Sequence, residues 1–307
     1  MEFLQELVIA TVRMTTPLLL VALGELYSER VGLVNIGLDG IMTFGAFSGF
    51  IVGYATGNPY IGLLAGALAG ILINMIFAFC TITLSGEQII YGMALNILAP
   101  AVSVFMYRMV FGIQSKLIQG PSLQNIPIPV LNDIPIIGKA LFDQTFVVYF
   151  LYAAVIATVI FFNKTKQGLN YKAVGEYPRA AESLGINVFK LKYIGCMICG
   201  ALAGIGGAFL TTGYINTCSE GIVSGRGFIA LSAVIFGRWA PGGIVLATLL
   251  FGFSDALQLR LQILSPSTPY QLISMLPYAF TLAALIIFGI KKAGPKANGK
   301  PYFREQH

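Results

Sequence analysis

The residues with the greatest capacity for chemistry in this 307-residue chain are its cysteines and its single histidine. Cys196 and Cys199 form a C-x-x-C pair, a spacing found in metal and redox sites. Both lie inside an apolar stretch, however, and the one histidine is His307, the last residue. We therefore interpret the pair as two small residues on one helix face, and we expect neither a metal site nor a redox site.

Motifs for hydrolysis or phosphate binding are not recognisable in the sequence. We find no nucleophile elbow, no phosphate-binding loop and no carboxylate pair at helical spacing within the apolar segments delimited below. The sequence thus predicts a chain that is not an enzyme, binds no cofactor of its own and does not hydrolyse ATP. An integral membrane enzyme stays an alternative without a catalytic cluster to support it.

Charged residues within apolar segments could bind protons or ions. Five of them lie near the ends of predicted spans, where water or snorkelling can stabilise them: Glu87, Arg108, Arg226, Asp255 and Arg260. Asp39 lies deeper, in GLVNIGLDGIMTFGAF. Capping and the helix dipole stabilise a carboxylate in the first turn of a helix, so we favour a structural cap for Asp39 over a proton or ion site.

The elements that carry these residues must lie in a membrane. The chain is 56% hydrophobic and 10% charged, with a mean hydropathy of +0.79, which is too apolar for a soluble domain. Alternating barrel strands are not evident, so the spans should be helices. We predict an all-α, polytopic bundle of about 8–10 transmembrane helices with possible re-entrant segments, forming one domain over residues 1–307.

Lys and Arg accumulate in two segments, which predicts that both face the cytoplasm. Segment 163–192 contains six of these residues, and the tail 291–307 contains five. Loop 111–144 has two lysines against two aspartates and carries four prolines, so we expect an external, partly ordered loop. The predicted spans between the two basic segments are 193–215, 222–238, 240–258 and 271–290. Four crossings fit, although 222–238 is short and could dip in and return.

The spans before residue 111 leave the side of the N-terminus open. We expect them near 7–24, 36–56, 59–84 and 88–109, with the second and third joined by a hinge at Asn58-Pro59, and one re-entrant segment among them would reverse the orientation. Small residues recur four apart at Gly62, Gly66 and Gly70, and again at Gly200, Gly204 and Ala208. Such ridges predict helices that pack closely in lipid.

The polar insert AVGEYPRAAESLGINVFKLK, residues 173–192, predicts a short amphipathic helix. Pro178 suits the first turn of a helix, and Gly185 suits its C-terminal stop. The residues alone leave two interpretations open. The helix could lie among lipid headgroups, or it could be a docking helix for a cytoplasmic subunit.

Three segments, taken in order, resemble one known family over nearly the whole chain. They are LGELYSERVGLVNIGLDGIMTFGAFSGF, GLNYKAVGEYPRAAESLGINVFKLKYIGCMICGALAGIGGAFL and GRGFIALSAVIFGRWAPGGIVLATLLFGFSDALQLRLQ. The chain resembles the permease subunits of ABC importers of the ribose and branched-chain amino acid type, in particular the simple-sugar and nucleoside branch.

The resemblance implies that the polar insert is the coupling helix that docks on an ATP-binding subunit. RAAESLG is similar to the family motif E-A-A-x-x-x-G, with Arg179 in place of the acidic residue. The small residues that allow close contact would be Ala180, Ala181 and Gly185. Glu176 and Pro178 belong to the same docking segment. The Leu-Pro ending of the motif in other importers is missing, so only the docking role is carried over.

The same resemblance implies the partners and the location. We expect a cytoplasmic ATP-binding subunit that uses ATP and Mg, a second, distinct homologous permease chain, and an extracellular solute-binding lipoprotein. The chain would be a multi-pass protein of the bacterial cytoplasmic membrane, embedded in the lipid bilayer and without a nucleic-acid partner.

Two segments, SERVGLVNIGLDG and the stretch from GFIAL to FGRWAPGG, look closer to nucleoside permeases than to ribose permeases. A pathway for nucleosides needs hydrogen-bonding groups with few fixed charges. The candidates are Asn35, Asp39, Asn74, Gln88, Asn96 and Gln258. For each amide residue, an interhelical hydrogen bond is an equally good interpretation. Simple-sugar import is the near alternative, and a gradient-driven carrier that uses Asp39 or Glu87 is the more distant one.

Overall fold

The structure, a computed structural model, describes residues 2–112, 118–129, 137–264, 269–288 and 294–303. Its elements in chain order are α1 (Glu2–Glu29), α2 (Leu38–Thr56), α3 (Pro59–Ala78), α4 (Gln88–Phe111), β1 (Asn125–Pro127), α5 (Ile137–Phe142), β2 (Asp143–Thr145), α6 (Phe146–Lys164), α7 (Lys166–Glu176), α8 (Pro178–Ser183), α9 (Val188–Phe209), α10 (Arg226–Phe236), α11 (Pro241–Leu264), α12 (Tyr270–Ser274) and α13 (Leu276–Phe288). Single π-helical turns, Phe79–Thr83 and Leu210–Tyr214, extend α3 and α9.

Seven of the described helical stretches are long and apolar enough to cross a membrane. They are Phe3–Glu29, Leu38–Thr56, Pro59–Thr83, Gln88–Phe111, Phe146–Lys164, Val188–Tyr214 and Pro241–Leu264. Two shorter apolar stretches accompany them: Arg226–Phe236, and Gln271–Ala283, which runs from α12 into α13. The prediction of an all-α, polytopic membrane bundle is confirmed.

The predicted span at 222–238 is wrong in its form. Its helical part is α10, with 11 residues, which at 1.5 Å per residue covers only about half of a hydrocarbon core. The chain before α10 is a series of turns in which Ser224 has φ +50° and Gly225 has φ +80°. These left-handed residues stop the helix from beginning earlier, which hydropathy alone does not reveal.

Proline and glycine begin and end helices where the sequence predicts. Asn58 caps α3 by accepting a hydrogen bond of 2.9 Å from the Tyr60 N–H, and Pro59 occupies the first helical position. Gly57, at φ +66°, ends α2 directly before this cap. The hinge predicted at Asn58-Pro59 therefore joins two antiparallel helices.

The core of the bundle is a seam of small residues where α2, α3 and α9 meet. A Cβ atom added to Gly45 would lie 2.6 Å from the Cα of Gly204, and one added to Gly200 would lie 2.5 Å from the carbonyl oxygen of Gly70. On the other side of α3, Leu64, Leu68 and Leu72 are exposed. The ridges on α3 and α9 do allow close packing, and they pack against each other.

The two ends of the bundle are marked by different segments. At one, which we call the hairpin end, strands β1 and β2 pair antiparallel, with Ile126 opposite Gln144. There Arg13 of α1 donates a hydrogen bond of 3.5 Å to Asn125 of β1, and Glu6 pairs with Arg260 of α11 at 2.6 Å. At the other, the platform end, α7 and α8 lie beside residues 294–303, because the Ala297 N–H donates to the Gly175 carbonyl at 2.9 Å. The two basic segments therefore share one end.

In the described residues between α8 and residue 294, four stretches run from one of these ends to the other. The crossings are α9, the turns before α10 together with α10, α11, and α12 with α13. An even number agrees with the parity expected from the charges. Four crossings by α1 to α4 precede the hairpin, so α1 begins at the hairpin end, a point that the charges had left open. Lys291, Lys292 and Arg304 of the predicted basic tail lie outside the described residues.

We predict that Gly45→Ala destabilises the protein by about 1–3 kcal/mol, because the new methyl group overlaps the α9 backbone and the helices must separate. Thermal unfolding in detergent measures the effect. The matched control is Gly242→Ala in α11, where nothing lies within 4 Å of the new Cβ and helix propensity improves. Equal melting temperatures for the two variants would contradict the role of the seam.

Candidate functional site

Between α1 and α2 the chain does not turn at the surface but passes through the interior. Residues 30–37, which we call the re-entrant segment, are not helical, and Val31, Leu33 and Asn35 are fully buried. Backbone groups in such a place need partners from elsewhere. Side chains supply them: the Val34 N–H donates to Gln88 Oε1 and the Asn35 N–H donates to Glu25 Oε1, each at 2.8 Å.

Asn35 and Asn74 form a chain of hydrogen bonds through the core. Asn35 Nδ2 donates to Asn74 Oδ1 at 2.8 Å, and Asn74 Nδ2 donates to the Cys196 carbonyl at 2.6 Å. Asn35 Oδ1 accepts from the Gly37 N–H at 2.9 Å. The re-entrant segment, α3 and α9 are thus joined by two fully buried amides.

Two residues of α4 hold the re-entrant segment and the first turn of α2 from the other side. Asn96 Oδ1 accepts from the Gly40 N–H at 2.8 Å, and Asn96 Nδ2 donates to the Ile36 carbonyl at 2.9 Å. Gln88 is 1% exposed and contacts Val34 as described above. Four of the predicted pathway residues therefore come together around one buried segment, and their contacts favour the structural interpretation for each.

Asp39 lies in the first turn of α2, as predicted, but it does not cap α2. Its Oδ1 accepts a hydrogen bond of 3.1 Å from the N–H of Gly227, at the beginning of α10. The residue before α2 is Gly37, which has no side chain that could cap the helix. A carboxylate beside a helix N-terminus is stabilised by the free N–H groups and the dipole, so Asp39 fixes where α10 begins.

A carboxylate pair at helical spacing exists in α1, contrary to the sequence prediction. Glu25 and Glu29 are four apart and only 0% and 2% exposed. The predicted first span stopped at residue 24, whereas the helix continues to Glu29, which brings both acids inside. Glu25 accepts from the Asn35 N–H and, at 3.3 Å, from the Cys199 thiol. These carboxylates serve as acceptors for buried donors.

Glu29 gathers three elements at the platform end. It accepts hydrogen bonds from the indole N–H of Trp239, which follows α10, and at 2.9 Å from the side chain of Asn298. The neighbouring Arg30 donates to the Trp239 carbonyl, with Nε at 3.1 Å. Burial lowers the pKa of the Arg30 guanidinium below its usual value. The two acids in LGELYSER were the signal for this cluster in the sequence.

Gln258 lies apart from the other predicted pathway residues, on a cavity of about 700 Å³ between α10, α11, α12 and α13. This volume is within the range of small-molecule sites. Polar side chains at its wall include Arg226, Ser232, Asp255, Gln258, Ser274 and Thr281. Sequence reasoning assigned Arg226 and Asp255 to span ends. The glycine-flanked break around Arg226 and the spacing of Asp255 and Gln258, three apart on α11, were the available signals.

Helices α7 and α8, which we call the platform, form the predicted polar insert. Thr165 caps α7 by accepting from the Gly168 N–H at 3.0 Å, and Pro178 begins α8 as expected. Gly185, at φ +82°, follows the end of α8 with open space around it. The expected beginning and stop are both present.

The outer surface of the platform is partly apolar. Tyr177 is 58% exposed and Leu184 is 81% exposed, and Ala180 is exposed between them. Ala181, in contrast, is 2% exposed and packs into the protein's own core. The small residues that a partner could approach are therefore Ala180 and Gly185, whereas Ala181 anchors α8 to the bundle.

Residues 294–303, which we call the strap, tie the platform to the bundle. Lys296 donates a hydrogen bond of 2.5 Å to the Tyr177 hydroxyl and lies 4.7 Å from the centre of its ring. The Tyr302 hydroxyl contacts the Glu182 carboxylate. A groove of about 500 Å³ between strap and α8 is bordered by basic residues, among them Lys296 and Lys300. The platform end presents a basic surface with apolar residues.

Comparisons with known proteins identify transport permeases as similar proteins. Residues 7–287 match the family model described as branched-chain amino acid transport system / permease component. The chain is 38% identical to the nucleoside ABC transporter permease protein NupC of Lactococcus lactis subsp. cremoris, over 95% of each chain. It is 38% identical to the guanosine ABC transporter permease protein NupQ of Bacillus subtilis, over 99% of this chain and 98% of the relative.

A third relative carries a different solute in its name. The putative glucose ABC transporter permease protein TsgC13 of Haloferax volcanii is 35% identical over 99% of each chain. No solved structure matches the chain.

We predict that Asn35→Ala lowers the stability of the protein rather than its solute preference. The change leaves Asn74 Oδ1 and the Gly37 N–H without their partners, at a cost of about 1–3 kcal/mol for each buried group. Membrane abundance and melting temperature measure the effect, with the exposed Asn163→Ala as the control. Normal stability combined with altered solute preference would instead indicate a pathway-lining residue.

Proposed function

We propose a function from one premise: this chain belongs to the family of branched-chain amino acid transport system permease components. It is the membrane-spanning permease subunit of an ATP-driven importer, and it moves nucleosides across the bacterial cytoplasmic membrane. The observation that carries the proposal is the 38% identity, over almost full length, to a nucleoside permease and a guanosine permease.

The energy for transport comes from a cytoplasmic partner subunit that hydrolyses ATP with Mg. The platform supports this part of the proposal, because it is a short helical element with exposed apolar and small residues at the basic end of the bundle. Basic residues accumulate on the cytoplasmic side of membrane proteins, so the platform end is the cytoplasmic end. A partner can drive alternating access only by binding one conformation more tightly than the other.

Two further components complete the importer. A second homologous permease chain, distinct from this one, packs beside it, and an external solute-binding lipoprotein delivers the nucleoside to the hairpin end. Exposed apolar side chains on α4, including Ile97, Phe105 and Met109, leave a face for lipid or for the second permease. The family description names a permease component, which fits a system of several subunits.

Simple-sugar import by the same machinery is the second candidate, since the Haloferax relative is named for glucose. A gradient-driven carrier has less support. Asp39 accepts a hydrogen bond from the N-terminus of α10, and Glu87 is an exposed residue directly before α4. Neither carboxylate has the setting of a buried, exchangeable ion site.

The function is tested by uptake of labelled guanosine and uridine in cells with and without this chain, with excess unlabelled ribose as competitor. We expect deletion to lower nucleoside uptake and ribose not to compete. Unchanged uptake after deletion, or inhibition by ribose alone, would reject nucleosides and favour the sugar candidate.

We predict that Ala180→Arg combined with Leu184→Asp reduces ATP-dependent uptake at least tenfold, while the protein still inserts and folds. Both side chains point outward, so their replacement affects a docking partner and not the core. Co-purification of the ATP-binding subunit and uptake are measured together. The matched control is Ala55→Arg, an exposed alanine at the hairpin end. Full uptake by the double variant would show that the platform is only an interfacial helix.

A further inference from the structure

We propose that the cavity between α10, α11, α12 and α13 is the solute-binding station of this chain, and that Asp255 selects the ribose hydroxyl groups. The inference rests on the proposed function, nucleoside import, and adds the site and its specificity-determining residue.

The cavity has the size and the mixed lining that a nucleoside needs. Its volume of about 700 Å³ exceeds that of a single nucleoside, which leaves room for water and for movement. Aromatic and aliphatic side chains, among them Phe228 and Phe251, occur on its wall together with the polar residues. The site therefore combines apolar surface with a small number of orienting groups.

Asp255 differs from the other carboxylates inside the bundle in its partners. Glu25, Glu29 and Asp39 each accept hydrogen bonds from the protein. Among the residues that the structure describes, Asp255 has no such donor, although it lies in the cavity wall. A half-buried carboxylate without a protein donor is an acceptor ready for a ligand, because leaving it unpaired is costly.

A ribose ring matches this acceptor. Its two neighbouring hydroxyl groups can donate to the two oxygens of one carboxylate, as bidentate donors do. Gln258 lies three residues further along α11, on the same face, and its amide can donate to or accept from an adjacent group of the solute. Together they favour a solute with a cis-diol over one without it.

Arg226 contributes a positive charge without closing the site. Its Nη1 donates to the carbonyls of Ile222 and Val223, each at 3.2 Å, so the guanidinium is held by backbone at the beginning of α10. Arg226 and Asp255 both line this cavity, so the positive charge and the carboxylate face the same space. Because no ion pair between them is present in the described structure, the Asp255 oxygens stay available to a solute.

The base of a nucleoside has a suitable partner in Phe228. This side chain is 46% exposed at the cavity, and flat aromatic rings stack on nucleobases with little dependence on base identity. The arrangement thus reads the sugar by hydrogen bonds and holds the base by stacking. Such a site tolerates several nucleosides and releases them readily.

The first test compares ribonucleosides with 2′-deoxyribonucleosides on the complete permease complex in nanodiscs, without the external binding protein. We expect the unmodified complex to bind labelled guanosine at least tenfold more tightly than 2′-deoxyguanosine. Asp255→Asn should reduce that ratio to about one. The control is Glu6→Gln, which removes a carboxylate on α1. Glu6 pairs with Arg260 of α11, the helix that carries Asp255, and its replacement should leave the ratio unchanged. An unchanged ratio in Asp255→Asn overturns the proposal.

The second test does not depend on the stability of the Asp255 variant. Ser232→Cys places a thiol in the cavity wall, in a background where the half-buried Cys80 is replaced by serine. The other native cysteines, Cys196, Cys199 and Cys218, are buried, so the reagent should reach them far more slowly. A small thiol reagent should block uptake, and guanosine should slow the labelling at least fivefold. Labelling that guanosine does not slow, or labelled protein that still imports, overturns the proposal.

Failure of the site and failure of the function give different results. If deletion of the chain leaves guanosine uptake unchanged, the function is wrong. If uptake requires the chain but both cavity variants behave like the unmodified protein, the function stands and the site lies elsewhere.

Discussion

Close contact between backbones along α2, α3 and α9 is the constraint on which the rest of the structure depends. The glycines at the seam let the helix axes approach until no side chain fits between them, as at Gly45 against Gly204 and Gly70 against Gly200. In lipid, such packing replaces the hydrophobic effect as the source of helix association. The approach also sets the position of Asn74, whose amide reaches both Asn35 and the Cys196 carbonyl only because the helices are this close.

The seam explains why the interior polar residues divide into two groups. The re-entrant segment cannot satisfy its own backbone, so side chains from α1, α3 and α4 do so, and these residues are fixed in structural roles. The polar residues that line the cavity beside α10 and α11 make fewer hydrogen bonds to other parts of the chain, and they face open space. Helix α10 connects the two regions to the platform end. The Gly227 N–H at its beginning donates a hydrogen bond to Asp39, and the indole N–H of Trp239, just after its end, donates to Glu29.

Much of the fold was accessible from the sequence, because span length, glycine spacing and helix punctuation are local signals. Pro178, Gly185 and the Asn58-Pro59 hinge occupy the predicted positions. The partners of polar residues were not accessible, since Asp39 pairs with Gly227, 188 residues away. The form of 222–238 was wrong because hydropathy reports an apolar run and not the left-handed turns that interrupt it. Because the predicted first span ended at residue 24, Glu25 and Glu29 were not recognised as buried residues of the first helix.

We propose that this chain imports nucleosides with energy from a partner ATPase. This proposal is tested most directly in proteoliposomes that contain the purified importer, with ATP on the platform side, the external binding protein on the hairpin side and ionophores to collapse all ion gradients. We predict that labelled guanosine accumulates against its gradient only when ATP is hydrolysed, and that ionophores have no effect. Accumulation that ignores ATP and disappears with the gradients would contradict it.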